Sequence, residues 1–386
     1  MTTLDRRSTV EEVLLAAERL APTIADRAAE IESARRIPTD LLEELVDAGV
    51  FRMTLPTSHG GLGADLPSAM RVYETLSRAD ASVGWSVVIG GTAWCDLIGL
   101  PRATFDELFV ADGDVITAGV FSPSGSITAV DDGYRVSGRW SFASGSEHAA
   151  WIFGNCVEGV IDGHPSMRIA VFSPDQVTIE DTWNVSGLSG TGSHHFSVDD
   201  VFVPSERTLV PLESEPSIYE VIARIPVPSL APLCLAVIAV GAAQGAVDDI
   251  TVMATEKTPL LADSHLASNP HFQFELAGAV TEVRAARGLL YENAGELWET
   301  AAEGAPLSWE QRAHIRAAAV WATERAAAAV TTAYRLGGGT SIYLSSPLQR
   351  RLRDVNAITQ HFLLRPDTLT TAGAILAGQD VDVPVF

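Results

Sequence analysis

Gly138-Arg139-Trp140-Ser141-Phe142-Ala143-Ser144-Gly145-Ser146-Glu147-His148-Ala149-Ala150-Trp151 is the stretch on which the fold of this chain turns. It is β-like, yet helix-like sequence runs for roughly a hundred residues or more on either side. It ends in a Ser-Gly pair flanked by aromatics. A hydroxyl at a strand end between flat apolar side chains suits a planar ring system with a polar edge, and a flavin is the obvious candidate. The same residues also satisfy a plain β-hairpin with core aromatics and a Ser-Gly turn.

Around that stretch the sequence divides into three. Up to about residue 110 it reads as helices. Pro38-Thr39-Asp40 starts one, with Leu41, Leu42, Leu45 and Val46 on one face and Gly49 at its stop. His59-Gly60-Gly61-Leu62-Gly63 is a Gly-rich turn, a helix follows over Leu66–Arg78, and an apolar helix runs from Ser82 to about Ile98. Residues 114 to about 205 alternate Val, Ile, Thr and Ser between turns at Asp131-Asp132-Gly133 and Asp162-Gly163, which predicts a small antiparallel β domain. Beyond Pro228 the chain is helical again. Ser308 and Gln311 form a capping-box pattern, and Ile315, Ala319, Ala322, Ala326 and Val330 hold one stripe up to Gly337-Gly338-Gly339. A last helix is predicted from Ser346 to Phe362. The expected domains are 1–112, 113–210 and 211–386.

Composition narrows the function. The 386 residues carry 49 acids against 26 bases, a net charge of -23, which excludes nucleic acid and anionic membrane as partners because little is available to neutralise phosphates. With 47% hydrophobic residues and a mean hydropathy of +0.17, core material is plentiful. Lys257 is the single lysine, so Schiff-base chemistry would rest on it alone. Cys95, Cys156 and Cys234 are far apart with no CxxC pair, as expected of a reduced cytoplasmic protein. Arg6-Arg7 precedes amphipathic rather than continuously apolar sequence, unlike a signal peptide. Val227–Val247, the most apolar run, contains Pro228, Pro232 and Gln244 and reads as a buried helix rather than a membrane span.

At this point the residues resemble a known family. Leu55-Pro56 with Gly60-Gly61-Leu62-Gly63, Ala81-Ser82-Val83-Gly84-Trp85, Val120-Phe121-Ser122-Pro123-Ser124-Gly125, the Gly138–Trp151 stretch, Gly187-Leu188-Ser189-Gly190-Thr191-Gly192-Ser193 and Arg350-Arg351-Leu352-Arg353-Asp354 stand in the order of the acyl-CoA dehydrogenase superfamily over nearly the whole chain. Within it the chain looks like the group D two-component flavin-dependent monooxygenases. The resemblance implies an α+β, mostly α fold: an N-terminal helical domain, a central small antiparallel β-barrel and a C-terminal four-helix bundle, assembled as a homotetramer or homodimer. It implies that the Ser144 hydroxyl meets the flavin N5/O4 edge, that Phe142 and Ala143 cover the ring, and that Val120, Phe121 and Ser122 line the other side. Gly338, Gly339 and Arg353 lie in the region that, in dehydrogenases, helps hold the flavin across a subunit interface.

Departures from the dehydrogenase pattern direct the functional reading. Many dehydrogenases place a catalytic Glu a few residues past the Arg-Asp pair. Here the stretch is Val355-Asn356-Ala357-Ile358-Thr359-Gln360-His361-Phe362-Leu363, and the next acid is Asp367. Without a carboxylate, removal of a proton beside a thioester loses its base. His361 stands there instead, resembling the group that supports the flavin C4a-hydroperoxide in the monooxygenase branch. The dehydrogenase Arg-x-x-Phe-Gly stretch for the FAD pyrophosphate has no counterpart in Thr255–Leu261, and no GxGxxG follows a strand. The implied cofactor is therefore reduced FAD or FMN with O2 as co-substrate, supplied by a separate NAD(P)H:flavin reductase. Ser86–Cys95 lacks the His that phenol hydroxylases of the branch often use, which favours an apolar, indole-like or polycyclic aromatic substrate. His59 reads as a turn residue, His148 as a hairpin-edge residue facing solvent, and His194-His195 as strand residues, one inward and one outward. Two other readings stay open. One is an acyl-CoA dehydrogenase or oxidase with its base elsewhere; the other is a non-catalytic binding protein that kept the fold.

Overall fold

The computed structural model describes residues 9–109, 114–161 and 163–381, so the expected boundary at 112–113 lies outside the described residues. Six helices come first: α1 (Val10–Asp26), α2 (Ala28–Ala34), α3 (Thr39–Asp47), α4 (Leu66–Ala79), α5 (Ala81–Thr92) and α6 (Arg102–Phe109). Strands β1 (Thr117–Val130), β2 (Gly133–Ala143), β3 (Trp151–Ile161), β4 (His164–Phe172), β5 (Thr178–Glu180), β6 (His194–Pro204) and β7 (Thr208–Leu209) follow. Five helices close the chain: α7 (Val227–Glu256), α8 (Pro270–Ala302), α9 (Trp309–Gly337), α10 (Pro347–Ile358) and α11 (Thr368–Leu376). On this order we propose three domains, the second boundary falling at residue 210, just past β7.

Local chemistry starts the helices. Thr9 and Glu12 form a reciprocal capping box on α1, and Ser308 with Gln311 does the same on α9, as the sequence pattern predicts. Asp80 begins α5 by accepting from the N–H groups of Ser82 and Val83. Lys257 is occupied at a helix end. Its ammonium donates to the Gly337 carbonyl and to Thr340 Oγ1 (2.8 Å), where the C-terminal dipole of α9 favours a cation. The helix predicted over Ser346–Phe362 stops at Ile358, where the His361 N–H turns back onto Ile358 O (3.1 Å), and α11 follows it. His361 thus sits on a tight turn just past α10.

The strands form one sheet in the order β5-β6-β2-β1-β3-β4-β7. Five neighbour pairs are antiparallel, as expected, but β1 and β3 are parallel. The chain leaves β2, runs through Ser144–Ala150 and crosses to the far side of β1 before starting β3. That crossover carries Ser144. Trp140, Phe172 and Phe196 fill the sheet core, with the Trp140 and Phe196 rings stacked at 4.8 Å.

The helices before and after the sheet share one hydrophobic core, whereas the sheet has its own. Its centre is α7, apolar all round and buried over 89% of its most hydrophobic window, a core helix as the sequence predicts. The predicted α9 stripe of Ile315, Ala319, Ala322, Ala326 and Val330 is wholly buried. Close approach of α4 to α7 depends on Gly241, where a Cβ would stand 2.6 Å from Glu74 O and 2.8 Å from Ser77 Cβ. Gly241→Ala is therefore expected to destabilise by about 1–3 kcal/mol, read as a lower urea midpoint at unchanged slope. Gly278→Ala, on the open face of α8, is expected not to destabilise.

Candidate active site

A cavity of about 980 Å³ opens between α5, β1, the end of β2, the start of α7 and the turn after α10. That turn brings His361 into its wall. Val120, Phe121, Ser122, Phe142, Ser144 and Arg353 line it as well, so seven residues singled out in the sequence meet at one place.

Three others do not line it. Ala143 is fully buried in the sheet core and turns its methyl away from the cavity, because side chains alternate across the sheet and Phe142 takes the outward face. The expected ring contact of Ala143 is corrected accordingly. Gly338 and Gly339 lie past the end of α9, beside Lys257 and outside the cavity wall of this chain.

Phe142 shows how local strain serves the site. The β2–β6 register slips between Trp140 and Ala143, a bulge that swings Phe142 outward. The residue takes φ 70, rare for an aromatic, and is 68% exposed. Its ring meets Trp183 edge to face at 6.0 Å on the cavity wall.

Ser144 is held by a chain of buried hydroxyls that ends on a carbonyl. Thr191 Oγ1 donates to the Leu188 carbonyl (2.8 Å), so its single proton is used. Ser193 must then donate to Thr191 (2.7 Å), and Ser144 must donate to Ser193 (2.7 Å). Trp85 Nε1 donates to Ser144 Oγ (3.1 Å). In this direction Ser144 spends its proton on Ser193 and offers acceptor capacity to a ligand. The chain extends into the bundle, since Leu188 N–H donates to Asp354 Oδ1 (2.7 Å). Burial, reinforced by repulsion from Asp80, pushes the Asp354 carboxyl up to about 7.

His361 is equally constrained. Its Nδ1 accepts from the Leu363 N–H (3.4 Å), which leaves the proton on Nε2. The ring packs edge to face on Trp85 at 5.7 Å. Burial, with a smaller push from the Arg316 charge, lowers its pKa to about 4. The imidazole is thus neutral at working pH, with an N–H donor. Arg353 is committed to Gln349 Oε1 (2.8 Å), the Ser186 carbonyl and Glu32, while its Nη2 has no partner among the described residues.

The remaining histidines fall partly as expected. His194 is buried and His195 half-exposed, one in and one out. His59 stands in a turn, the 3₁₀ segment Thr57–His59, where it is buried on Phe105 and bonded to Asp106 (2.8 Å). His148 is half-buried, with its pKa lowered by burial, rather than turned to solvent.

Two family models match, one described as the acyl-CoA dehydrogenase N-terminal domain over residues 8–100 and one as its C-terminal domain over residues 233–366. The indole-3-acetate monooxygenase of Pseudomonas putida is 32% identical over 94% of this chain and 93% of its own. The flavin-dependent monooxygenase oxygenase subunit HsaA of Rhodococcus jostii is 31% identical over 90% and 93%. This chain belongs to the acyl-CoA dehydrogenase family, in its flavin-dependent monooxygenase branch. The structure of XiaF from Streptomyces, in complex with FADH2 and glycerol, superposes at a TM-score of 0.90, with 25% identity over 97% of both chains.

Several residues that build this candidate site had no role in the sequence reading. Trp85, Thr191 and Ser193 sit inside quoted landmarks, but nothing local says that their polar atoms converge. Trp183 caps the Leu188 carbonyl (3.0 Å) from a loop without a motif. Asp96, one residue beyond the quoted Ser86–Cys95 stretch, lines the cavity.

Because the folded pKa of His361 is depressed, the unfolded chain takes up its proton first as pH falls. Wild type is expected to lose roughly 3 kcal/mol between pH 6.5 and 4 through this residue. In His361→Gln that increment of the acid-side loss is expected to disappear, measured as the difference between the two proteins' urea-unfolding free energies across that range.

Proposed function

We propose that this protein uses reduced flavin and O2 to hydroxylate an aromatic substrate, indole-like or polycyclic, with the flavin supplied by a separate NAD(P)H:flavin reductase. The observation that carries the reading is the pair at one end of the cavity: a neutral His361 presenting Nε2–H and a Ser144 restricted to accepting. The relatives support it. One is named for indole-3-acetate oxidation and another as an oxygenase subunit, a description that fits a two-component system. The FADH2 bound in XiaF supports a reduced flavin of the FAD type.

The residues fit a flavin on their own terms. Phe142 is an exposed aromatic held out from its sheet, facing a large apolar cavity, and Ser144 gives that wall one polar edge. An acceptor-only hydroxyl complements the N5–H of reduced flavin and mismatches the N5 lone pair of the oxidised ring. Val120, Phe121 and Ser122 would line the opposite side. Arg353 and, from a neighbouring subunit, Gly338 and Gly339 are proposed to hold the remainder of the cofactor. Exposed Ile342 (69%), Tyr343 (68%) and Leu344 (81%) beside those glycines support a homo-oligomer, dimer or tetramer.

When bound, reduced flavin supplies two electrons to O2, so that one oxygen atom enters the substrate and the other leaves as water. His361 would donate Nε2–H towards the oxygen delivered to the substrate, remaining neutral because burial disfavours its cation. Trp85 packs edge to face on the imidazole and holds Ser144 through its indole N–H, so that one side chain positions both. The apolar walls exclude water. The dehydrogenase reading lacks a base at this end, since the turn after α10 contributes His361 rather than a carboxylate.

The test is turnover with reduced flavin delivered by an unrelated reductase under labelled O2. Label in a hydroxylated aromatic product is expected, and label only in hydrogen peroxide with every aromatic tried would overturn the proposal. His361→Ala is expected to divert about tenfold more oxygen to peroxide. Ser144→Ala is expected to reduce the affinity ratio of reduced to oxidised flavin by about tenfold, measured from the midpoint potential of bound against free flavin.

A further inference from the structure

Asp96 lies in the 3₁₀ segment Ala93–Leu97 that continues α5, and it lines the cavity. Among the described residues its carboxylate makes no hydrogen bond and no ion pair, whereas Asp80, Asp106 and Asp354 are each bonded. It is the one carboxyl among the described lining residues, and its neighbours on the wall include Thr92, Cys95 and Cys234. Burial alone pushes it up to about 7. Asp96 is half-buried on a largely apolar wall, where an unpaired carboxyl is costly for a fold to retain, and nothing in the protein's own architecture uses this one. It is also remote from the reacting end. Eleven positions separate Trp85, which contacts both Ser144 and His361, from Asp96, a rise on the order of 15 Å along the helix axis.

We propose that Asp96 is the specificity residue for the far end of the substrate, where its carboxylate accepts a hydrogen bond from a donor group, an ammonium or a neutral N–H or O–H. The inference rests on the cavity being the substrate site, as proposed above. The substrate it selects is elongated: an aromatic ring at the His361 end, an apolar middle, and a donor at the Asp96 end. A carboxylate at that position is rejected by like charge, and the net charge of -23 works in the same direction. The selection differs from what the indole-3-acetate relative's name describes, so side-chain charge is the variable to test.

Three probes share one ring: tryptamine, 3-methylindole and indole-3-acetate. Their affinities for the full-length protein are measured by equilibrium dialysis, without flavin and again under nitrogen with dithionite-reduced FAD. Tryptamine is expected to bind at least about tenfold tighter than indole-3-acetate, with 3-methylindole between them. Asp96→Asn is expected to collapse the tryptamine advantage and leave 3-methylindole unchanged. Tryptamine affinity is further expected to rise with pH through about 7 in wild type and to stay flat in the variant. Tyr73, Cys95 and Cys234, the other titratable groups clustered there, remain protonated in that range. Removing an unpaired, half-buried charge is expected to raise the thermal midpoint of Asp96→Asn at pH 8, and by less at pH 5.5, so loss of binding through misfolding is distinguishable.

Equal binding of the three probes, absence of tryptamine binding, or a preference that persists in Asp96→Asn overturns the proposal. The two readings fail separately. A tryptamine preference without reduced-flavin binding supports Asp96 and sinks the oxygenase; flavin binding and product labelling without a donor preference sinks Asp96 alone.

Discussion

The hydrogen bond from Trp85 Nε1 to Ser144 Oγ is the contact on which the rest of the site depends. It joins a side chain of the first helical region to a residue of the sheet crossover. Behind Ser144 the contacts run on through Ser193 and Thr191 to the Leu188 carbonyl. Leu188 N–H then reaches Asp354 in the last region. One buried chain of hydrogen bonds thus spans all three parts of the molecule, and its members are shielded from water. In a low-dielectric interior the bonds of such a chain polarise and strengthen one another.

The same dryness governs protonation. In an acidic protein, carboxylates and imidazoles near the surface would be ionised. The groups near the cavity are driven instead towards their uncharged forms: His361 falls to about 4, and Asp96 and Asp354 rise to about 7. Asp354 keeps a structural partner in the Leu188 N–H. His361 keeps one ring nitrogen bonded to backbone and frees the other. Asp96 has neither partner, which sets it apart among the acids of the site.

Backbone strain is also concentrated at the site. Phe142 and Leu188 both take positive φ, at 70 and 53, and each stands at a functional corner. Phe142 is turned outward by its bulge. Leu188 directs its carbonyl to Thr191 and Trp183 and its N–H to Asp354. Gly187 before it lies so close to Arg353 that an added Cβ would stand 2.2 Å from the Arg353 carbonyl oxygen. Only glycine lets the loop seat against α10.

The sequence by itself determined the order of helices, sheet and helices, the buried character of α7, the α9 stripe and capping box, and the choice of Ser144, Phe142 and His361 as candidates, which meet at the cavity wall. These features are local: they are written in periodicity, caps and short motifs, each legible within a few turns of chain. Tertiary structure alone decided the parallel β1–β3 pairing, the inward turn of Ala143, the early stop of α10 and the partnership of Trp85 with Ser144. It also decided that Asp96 ends up unpaired in the cavity wall. The physical reason is that these depend on which distant atoms meet. A hydroxyl's remaining proton or a carboxyl's missing partner is fixed by contacts between residues far apart in sequence, and no window along the chain contains both partners.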